Sequence, residues 1–386
     1  MKVRYLLILV FLFSACKSNR NVLSEYDPTS FSGNEIVLSD IADDIRYVPI
    51  DASLQLGEIN SNFNIKFISD LIFKYETDVG ILVFDMDGKL LRKIGKIGRG
   101  PGEYLHGSVF AVDQEHGSVY VKVGDSEINV YSETGAYQRS FSLHGYGGSV
   151  DVMEFYDSKL FVSYNLQYND AKYEWILLDT LGNLIKEKKR TIPQFTSNYL
   201  AGGGTYRFEE RLNYWNQFID TVFSILPDLT CKPAYLLKPG EYRLPKTKVP
   251  DPIRQLSQYM TIEEIFETNR FITLRYSFYK AKNGFILFEK KNSKSVLISW
   301  DPGKVGGISN DLDGGLKFLP MSYLIEKNRE YLIEMIDPFQ LKKWIASSEF
   351  KIIAPVYPEK KKELEKLANS LKETDNPVLM MVRLKK

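Results

Sequence analysis

The sequence has 386 residues, with 50 Lys plus Arg against 49 Asp plus Glu, enough chain for one large repeat-built domain or two ordinary ones. The near balance of charge supplies no cationic field for nucleic acid and no acidic tail for a basic partner, so the reading carries no nucleic-acid partner. Apolar residues at 44% and aromatics at 13% argue against disorder, and the aromatic excess leans towards β-structure.

At the N-terminus Lys2 and Arg4 precede nine apolar or aromatic residues, Tyr5 to Phe13, followed by Ser14, Ala15 and Cys16. Nine residues rise only about 14 Å as a helix and cannot span a bilayer core of roughly 30 Å. Residues 1–15 therefore read as a signal peptide. A cysteine directly after a small residue resembles a bacterial lipobox, which implies that Cys16 is acylated and becomes the first mature residue. Acyl chains would then hold the protein to a membrane, each buried methylene contributing about 0.8 kcal/mol. The alternative is a secreted protein with an incidental cysteine at this point.

The polar residues 16–35 read as a lipidated tether, and residues 36–386 as the folded domain. With Cys16 lipidated, Cys231 is left without an intrachain partner and reads as a small core hydrophobe. His106, His116 and His144 do not lie at ligand spacing, and no second cysteine is near them, so neither a metal nor a cofactor is expected.

Within the domain, Val119, Val121 and Val123 alternate with Tyr120 and Lys122, and Gly124 and Asp125 turn the chain into Ile128 and Val130. This pattern predicts a half-buried hairpin. A second hairpin signal starts at Val83, Val130 and Leu177, at intervals of 47 residues, and the next interval lands on Ser224, where Pro227 and Asp228 supply the turn. Units of this length with about four short strands each predict propeller blades, which bury both faces only by stacking around an axis. Two excursions interrupt the repeat. Lys238 to Thr268 is rich in Pro and charge and ends in a helix-like stretch around Ile262 to Phe266. Farther on, Asp337 and Pro338 form an N-cap and N1 pair, and Pro358 opens a stretch with Leu364, Leu367 and Leu371 on one helical face. These predict two helices in the last blade. Discounting the excursions leaves about six blades at this repeat length, and Val378 to Leu384 reads as a final strand closing the ring.

Several segments in order carry a family resemblance: LSDIADDIRYVPID from Leu38, IGKIGRGPGEYL from Ile94, FETNRF from Phe266, GGISNDLDGG from Gly306 and DNPVLM from Asp375. They look like the six-bladed β-propeller lipoproteins of Bacteroidota, an NHL-like group. The resemblance implies an all-β, six-bladed β-propeller with short helical insertions near the C-terminus, and an envelope location. Surface-exported members carry acidic residues just after the lipid cysteine. Here Lys17, Ser18, Asn19 and Arg20 follow, so the expected place is the outer membrane, facing the periplasm.

The chemistry-bearing residues give a binding surface more readily than an active site. Gly95, Gly98, Gly100 and Gly102 with Lys96 and Arg99 superficially resemble a phosphate cradle, but Pro101 interrupts the run and no helix follows. The segment reads as a blade-to-blade crossing on the usual binding face of a propeller, with Arg99, Glu103, Tyr104 and His106 as candidate ligand contacts. Asp311, Asp313 and Gly314 have broken calcium-loop spacing and read as an Asx-stabilised turn. No nucleophile motif occurs, and no catalytic residue is assigned. The leading expectation is a non-catalytic binding or scaffold module for an envelope protein or a glycan. A hydrolase or lyase with an acidic, metal-assisted site in the central channel is the alternative, and a purely structural envelope component is a third.

Overall fold

The structure, a computed structural model, describes residues 24–27, 35–57, 65–167, 170–199, 202–238, 240–277, 282–292, 294–300 and 306–386. The signal peptide and Cys16 lie outside the described residues. The chain opens with β1 (Ser24–Tyr26), α1 (Leu38–Ile41) and β2 (Ala42–Pro49). Five four-stranded units follow in order. They are β3 (Ile65–Ile68), β4 (Leu71–Glu76), β5 (Gly80–Asp85) and β6 (Leu90–Ile94); β7 (Phe110–Asp113), β8 (Ser118–Val123), β9 (Glu127–Ser132) and β10 (Tyr137–Ser142); and β11 (Val150–Tyr156), β12 (Lys159–Tyr164), β13 (Tyr173–Leu178) and β14 (Leu184–Lys189). The fourth unit is β15 (Gly203–Phe208), β16 (Arg211–Asn216), β17 (Ile219–Ile225) and β18 (Cys231–Leu237). After the short α2 (Pro252–Gln255) comes the fifth, β19 (Thr261–Glu267), β20 (Phe271–Ser277), β21 (Asn283–Glu289) and β22 (Ser295–Trp300).

Each unit is an antiparallel sheet in chain order, and the sixth sheet closes the ring with strands from both ends of the chain. Its order is β23 (Ser322–Glu326), β24 (Arg329–Ile336), β25 (Val378–Leu384) and then β2. The expected final strand is thus the third strand of the last blade, hydrogen-bonded on one side to β24 and on the other to β2. The fold is an all-β, six-bladed propeller. Its closure makes the two chain ends mutually dependent, because β25 would otherwise expose an unpaired edge.

The hairpins of the 47-residue repeat join the third and fourth strands in blades one to four, running from β5, β9, β13 and β17. Alternating strand direction places these turns on one face of the disc, together with the turns between first and second strands: the turn face. The opposite, crossing face carries the connections from each blade to the next and those between second and third strands. The hairpin at Val119 is more deeply packed than a half-buried one, since Val119, Tyr120 and Val121 are all buried. A propeller blade is covered on both sides by its neighbours, which overrides the one-sided alternation of an isolated hairpin.

Two helix expectations are corrected. Ile262 to Phe266 is not helical but lies in β19, the axial strand of blade five, where Ile265 and Phe266 are buried. The helical turn of this insertion comes earlier, at α2, where the Asp251 carboxylate accepts from the Arg254 N–H at 3.0 Å. In the last blade three helices, not two, separate β24 from β25: α3 (Pro338–Ile345), α4 (Ser348–Ile352) and α5 (Pro358–Ser370). Asp337 and Pro338 start α3 as expected, and Leu364 and Ala368 form the buried stripe of α5. This insertion covers the outer edge of the blade: Tyr357 Oη donates to the Asp43 carbonyl at 3.1 Å, and Lys360 Nζ pairs with Asp44 at 2.7 Å.

Within the stretch read as a tether, β1 pairs in parallel with β18 as a fifth strand on blade four. The Tyr26 ring stands edge-on to Tyr235 at 5.2 Å and to Phe288 of blade five at 4.4 Å.

Candidate functional site

Residues 95–109 cross from β6 to β7, and their geometry is set by a small knot of hydrogen bonds. Ile97 and Tyr104 form a parallel bridge, with the Gly98 N–H donating to the Tyr104 carbonyl at 3.1 Å and the Tyr104 N–H to the Lys96 carbonyl at 3.1 Å. The Glu103 carboxylate accepts the Gly100 N–H at 2.8 Å and pairs with Lys96 Nζ at 3.0 Å. These contacts, the Gly100 bond foremost, hold its carboxyl below the usual range. No helix lies between β6 and β7, and Gly95 and Gly102 take positive φ in the turn.

Tyr104 is 1% exposed. Its hydroxyl donates to the Ile94 carbonyl at 2.6 Å and accepts the Ile81 N–H at 2.9 Å, and its ring lies edge-on to Tyr131 at 5.9 Å. Burial pushes its phenol up to about 12. Of the four candidate contact residues, Glu103 and Tyr104 therefore brace the loop from within, whereas Arg99 and His106 are exposed at its surface. Neither the Arg99 guanidinium nor the His106 ring has a protein partner among the described residues. A guanidinium so presented is suited to a carboxylate, a phosphate or an aromatic face.

The axis holds a second group of residues that sequence reasoning missed. Lys66 on β3 donates to the Glu154 carboxylate of β11 at 2.8 Å, and Arg207 on β15 reaches the same carboxylate at 2.9 Å. Tyr323 on β23 donates its hydroxyl to the Arg207 carbonyl at 2.6 Å, and Lys66 Nζ lies 5.6 Å from the centre of the Phe110 ring on β7. Residues of blades one, two, three, four and six thus meet across the channel. Burial would raise the Glu154 carboxyl, but Lys66 and Arg207 outweigh it and hold it below its ordinary value. Glu264 on β19 supplies blade five. Burial lifts its carboxyl to about 7, against the pull of Arg275 and Lys66. The available signal was charge inside a first strand, as with Lys66 in IKFI and the glutamates of TIEEIFE, and it acquires meaning only once the blade register is known.

The remaining motifs are structural. Asn310 accepts the Leu312 N–H at 3.2 Å and donates to Asp313 at 2.6 Å, and the Asp311 carboxylate binds the Ser39 N–H at 2.9 Å, tying this crossing to α1. The expected Asx turn is present. Among the described residues no three His, Cys, Asp or Glu side chains are placed to share a metal ion. Cys231 is half-buried, and burial raises its thiol above the ordinary value.

Residues 25–383 match a family described as a domain of unknown function, DUF4934. The chain belongs to that family. No curated protein matches the sequence. Among solved structures, a Bacteroides fragilis protein described as exported is 18% identical with a TM-score of 0.68, covering 94% of this chain and 99% of its own. A duf4221-family member from Bacteroides vulgatus is 12% identical, with a TM-score of 0.45 and coverage of 89% and 98%. The first likeness supports the propeller fold of this DUF4934 chain. Neither likeness extends to NHL-like repeats or to a lipid anchor.

Proposed function

We propose that this DUF4934 protein is an envelope lipoprotein, anchored through Cys16, whose propeller is a non-catalytic binding module working through its crossing face. The observation that carries this reading is the loop at 95–109, where an internal brace of Glu103 and Tyr104 holds Arg99 and His106 exposed and unpartnered. A rigid loop pays less ordering entropy on binding than a mobile one. The chemistry offered is a cation and an imidazole, which fits an anionic or hydrogen-bonding surface of an envelope protein or glycan. The Bacteroides fragilis neighbour, described as exported, supports an envelope location. The absence of acidic residues at 17–20 supports the periplasmic side of the outer membrane. The test is a crosslinked pull-down from native envelope with wild type, Arg99→Ala and His106→Ala, each with and without EDTA. Loss of the captured species in the two variants, with no effect of EDTA, supports the reading. Normal capture by both variants with loss on chelation overturns it.

Glu264 favours a second reading. A carboxyl titrating near neutrality beside Lys66 and Arg275 has the properties of a general acid or base in a hydrolase or lyase. That reading requires a turnover assay in which Glu264→Gln is inactive while Arg99→Ala is not.

A further inference from the structure

The pairing of β1 with β18 has a direction. β18 runs from the turn face to the crossing face, since it follows the β17–β18 hairpin and leads into the crossing at residue 238. β1 is parallel to it, with Ser24 opposite Tyr235 and Tyr26 opposite Leu237. The N-terminal end of β1 therefore points towards the turn face, at the rim of blade four. The docking is more than backbone pairing. The Lys238 N–H donates to the Tyr26 carbonyl at 2.8 Å, and the Tyr26 ring sits against Tyr235 of blade four and Phe288 of blade five. Tyr235 is itself buried and hydrogen-bonded to Tyr206 at 2.8 Å, so the strap rests on a fixed part of the core.

Only eight residue steps separate Cys16 from Ser24. Fully extended they span at most about 29 Å, close to the thickness of a single bilayer core. We infer that the docked strand is an orientation device: it holds the turn face at blade four against the membrane and directs the crossing face, with Arg99 and His106, away from it. A free tether of twenty residues would leave the disc to tumble, whereas a strap joined to the rim removes most of that freedom. The inference rests on the reading of Cys16 as the lipid attachment point, and it assigns to the turn face at blade four a partner of stated chemistry, the headgroup surface of a bilayer.

The experiment uses the full lipidated chain reconstituted into phospholipid vesicles. A Cys231→Ser background removes the one free thiol, and single cysteines are placed at Glu210 on the turn face and Lys248 on the crossing face. Both positions are exposed and flank blade four. Each is labelled with a fluorophore and read against a quencher carried on lipid headgroups. The expected result is several-fold stronger quenching at Glu210 than at Lys248. Inserting a long Gly/Ser segment between Asn21 and Val22 leaves every described contact intact and should erase the difference, as should Tyr26→Pro, with the thermal midpoint reporting that the ring is folded. Equal quenching at the two sites, or stronger quenching at Lys248, overturns the orientation while leaving the lipid anchor standing. A mass spectrum of the N-terminal peptide without acyl chains on Cys16 overturns the anchor and the orientation together, and the two failures are distinguished by that spectrum.

Discussion

The Nε of Arg92, on the outer strand of blade one, donates to the backbone carbonyl of Glu133 in the hairpin turn of blade two. One repeat later, Arg139 makes the same bond to the Thr180 carbonyl in the turn of blade three, and Lys186 to the Leu229 carbonyl in the turn of blade four. The three cations stand 47 residues apart, so the repeat that sets the hairpins also sets a clasp at three successive junctions, from blade one through to blade four.

Breaking one clasp should cost about 1 kcal/mol, the typical net contribution of a hydrogen bond that is partly solvated. Arg92→Met retains the alkyl stem against the strand and removes the donor. Its urea midpoint should fall with an unchanged slope. Combining Arg92→Met with Lys186→Met should give the sum of the two losses, because the clasps lie at different blade interfaces. An unchanged midpoint in both single variants would show that the bonds are replaced by water at no cost.

The turn glycines separate two demands on the backbone. Gly135 has φ +92°, and a Cβ there would lie 2.1 Å from the Lys93 carbonyl of the preceding blade, whereas Gly124 has φ +58° with open space around it. Gly124→Ala should lose about 1 kcal/mol for the left-handed conformation alone. Gly135→Ala must also push two blades apart and should lose several kcal/mol, on the scale of overpacking added to that strain. Similar thermal midpoints for the two variants would mean that the interface yields freely.

The blade count and hairpin register were legible because spacing survives in the linear chain: a turn every 47 residues marks the same place in each blade. The axial cluster was not legible, because Lys66, Glu154 and Arg207 come from strands whose convergence is a property of ring closure. The stretch Ile262–Phe266 misled for a related reason. Its apolar spacing suits a helical face, but as the first strand of a blade it is packed both by its neighbours and by the axis, and tertiary burial overrides local pattern. Tyr104 was recognised as a residue of interest, yet its role is inward. Sequence spacing places a side chain in a loop without saying which way it faces.

Tyr104 and Arg99 should therefore respond oppositely to substitution. Tyr104→Phe preserves the ring and removes the hydroxyl that serves the Ile81 N–H and the Ile94 carbonyl. Leaving a buried backbone donor unpaired costs about 1–3 kcal/mol, so the thermal midpoint should fall and hydrogen exchange at Ile81 should accelerate. Arg99→Ala removes an exposed side chain without a protein partner and should leave stability within about 0.5 kcal/mol of wild type. A stable Tyr104→Phe protein with unchanged exchange would show that the phenol is not the brace.

Glu334, on β24, supplies a pH signature. Its carboxyl Oε2 accepts the Leu319 N–H at 2.7 Å, and burial lifts the group from the ordinary 4.5 to about 8. In the folded protein the group stays protonated to about pH 8, whereas in the unfolded chain it ionises near 4.5. Between these values the unfolded state binds fewer protons, so stability falls as pH rises, by at most about 1.4 kcal/mol per pH unit for one group. The contribution is complete below about pH 4.5 and gone above about pH 8. Glu264 and Asp151, both lifted to about 7 chiefly by burial, act in the same direction, so wild type alone cannot isolate Glu334. Glu334→Gln can, because the amide oxygen still accepts from Leu319 and carries no proton to lose. The stability difference between variant and wild type should be nearly flat below pH 4.5, grow in favour of the variant from there to pH 8, and level off beyond. A difference that stays constant across that range would show that Glu334 is solvated and ionises normally in the folded ring.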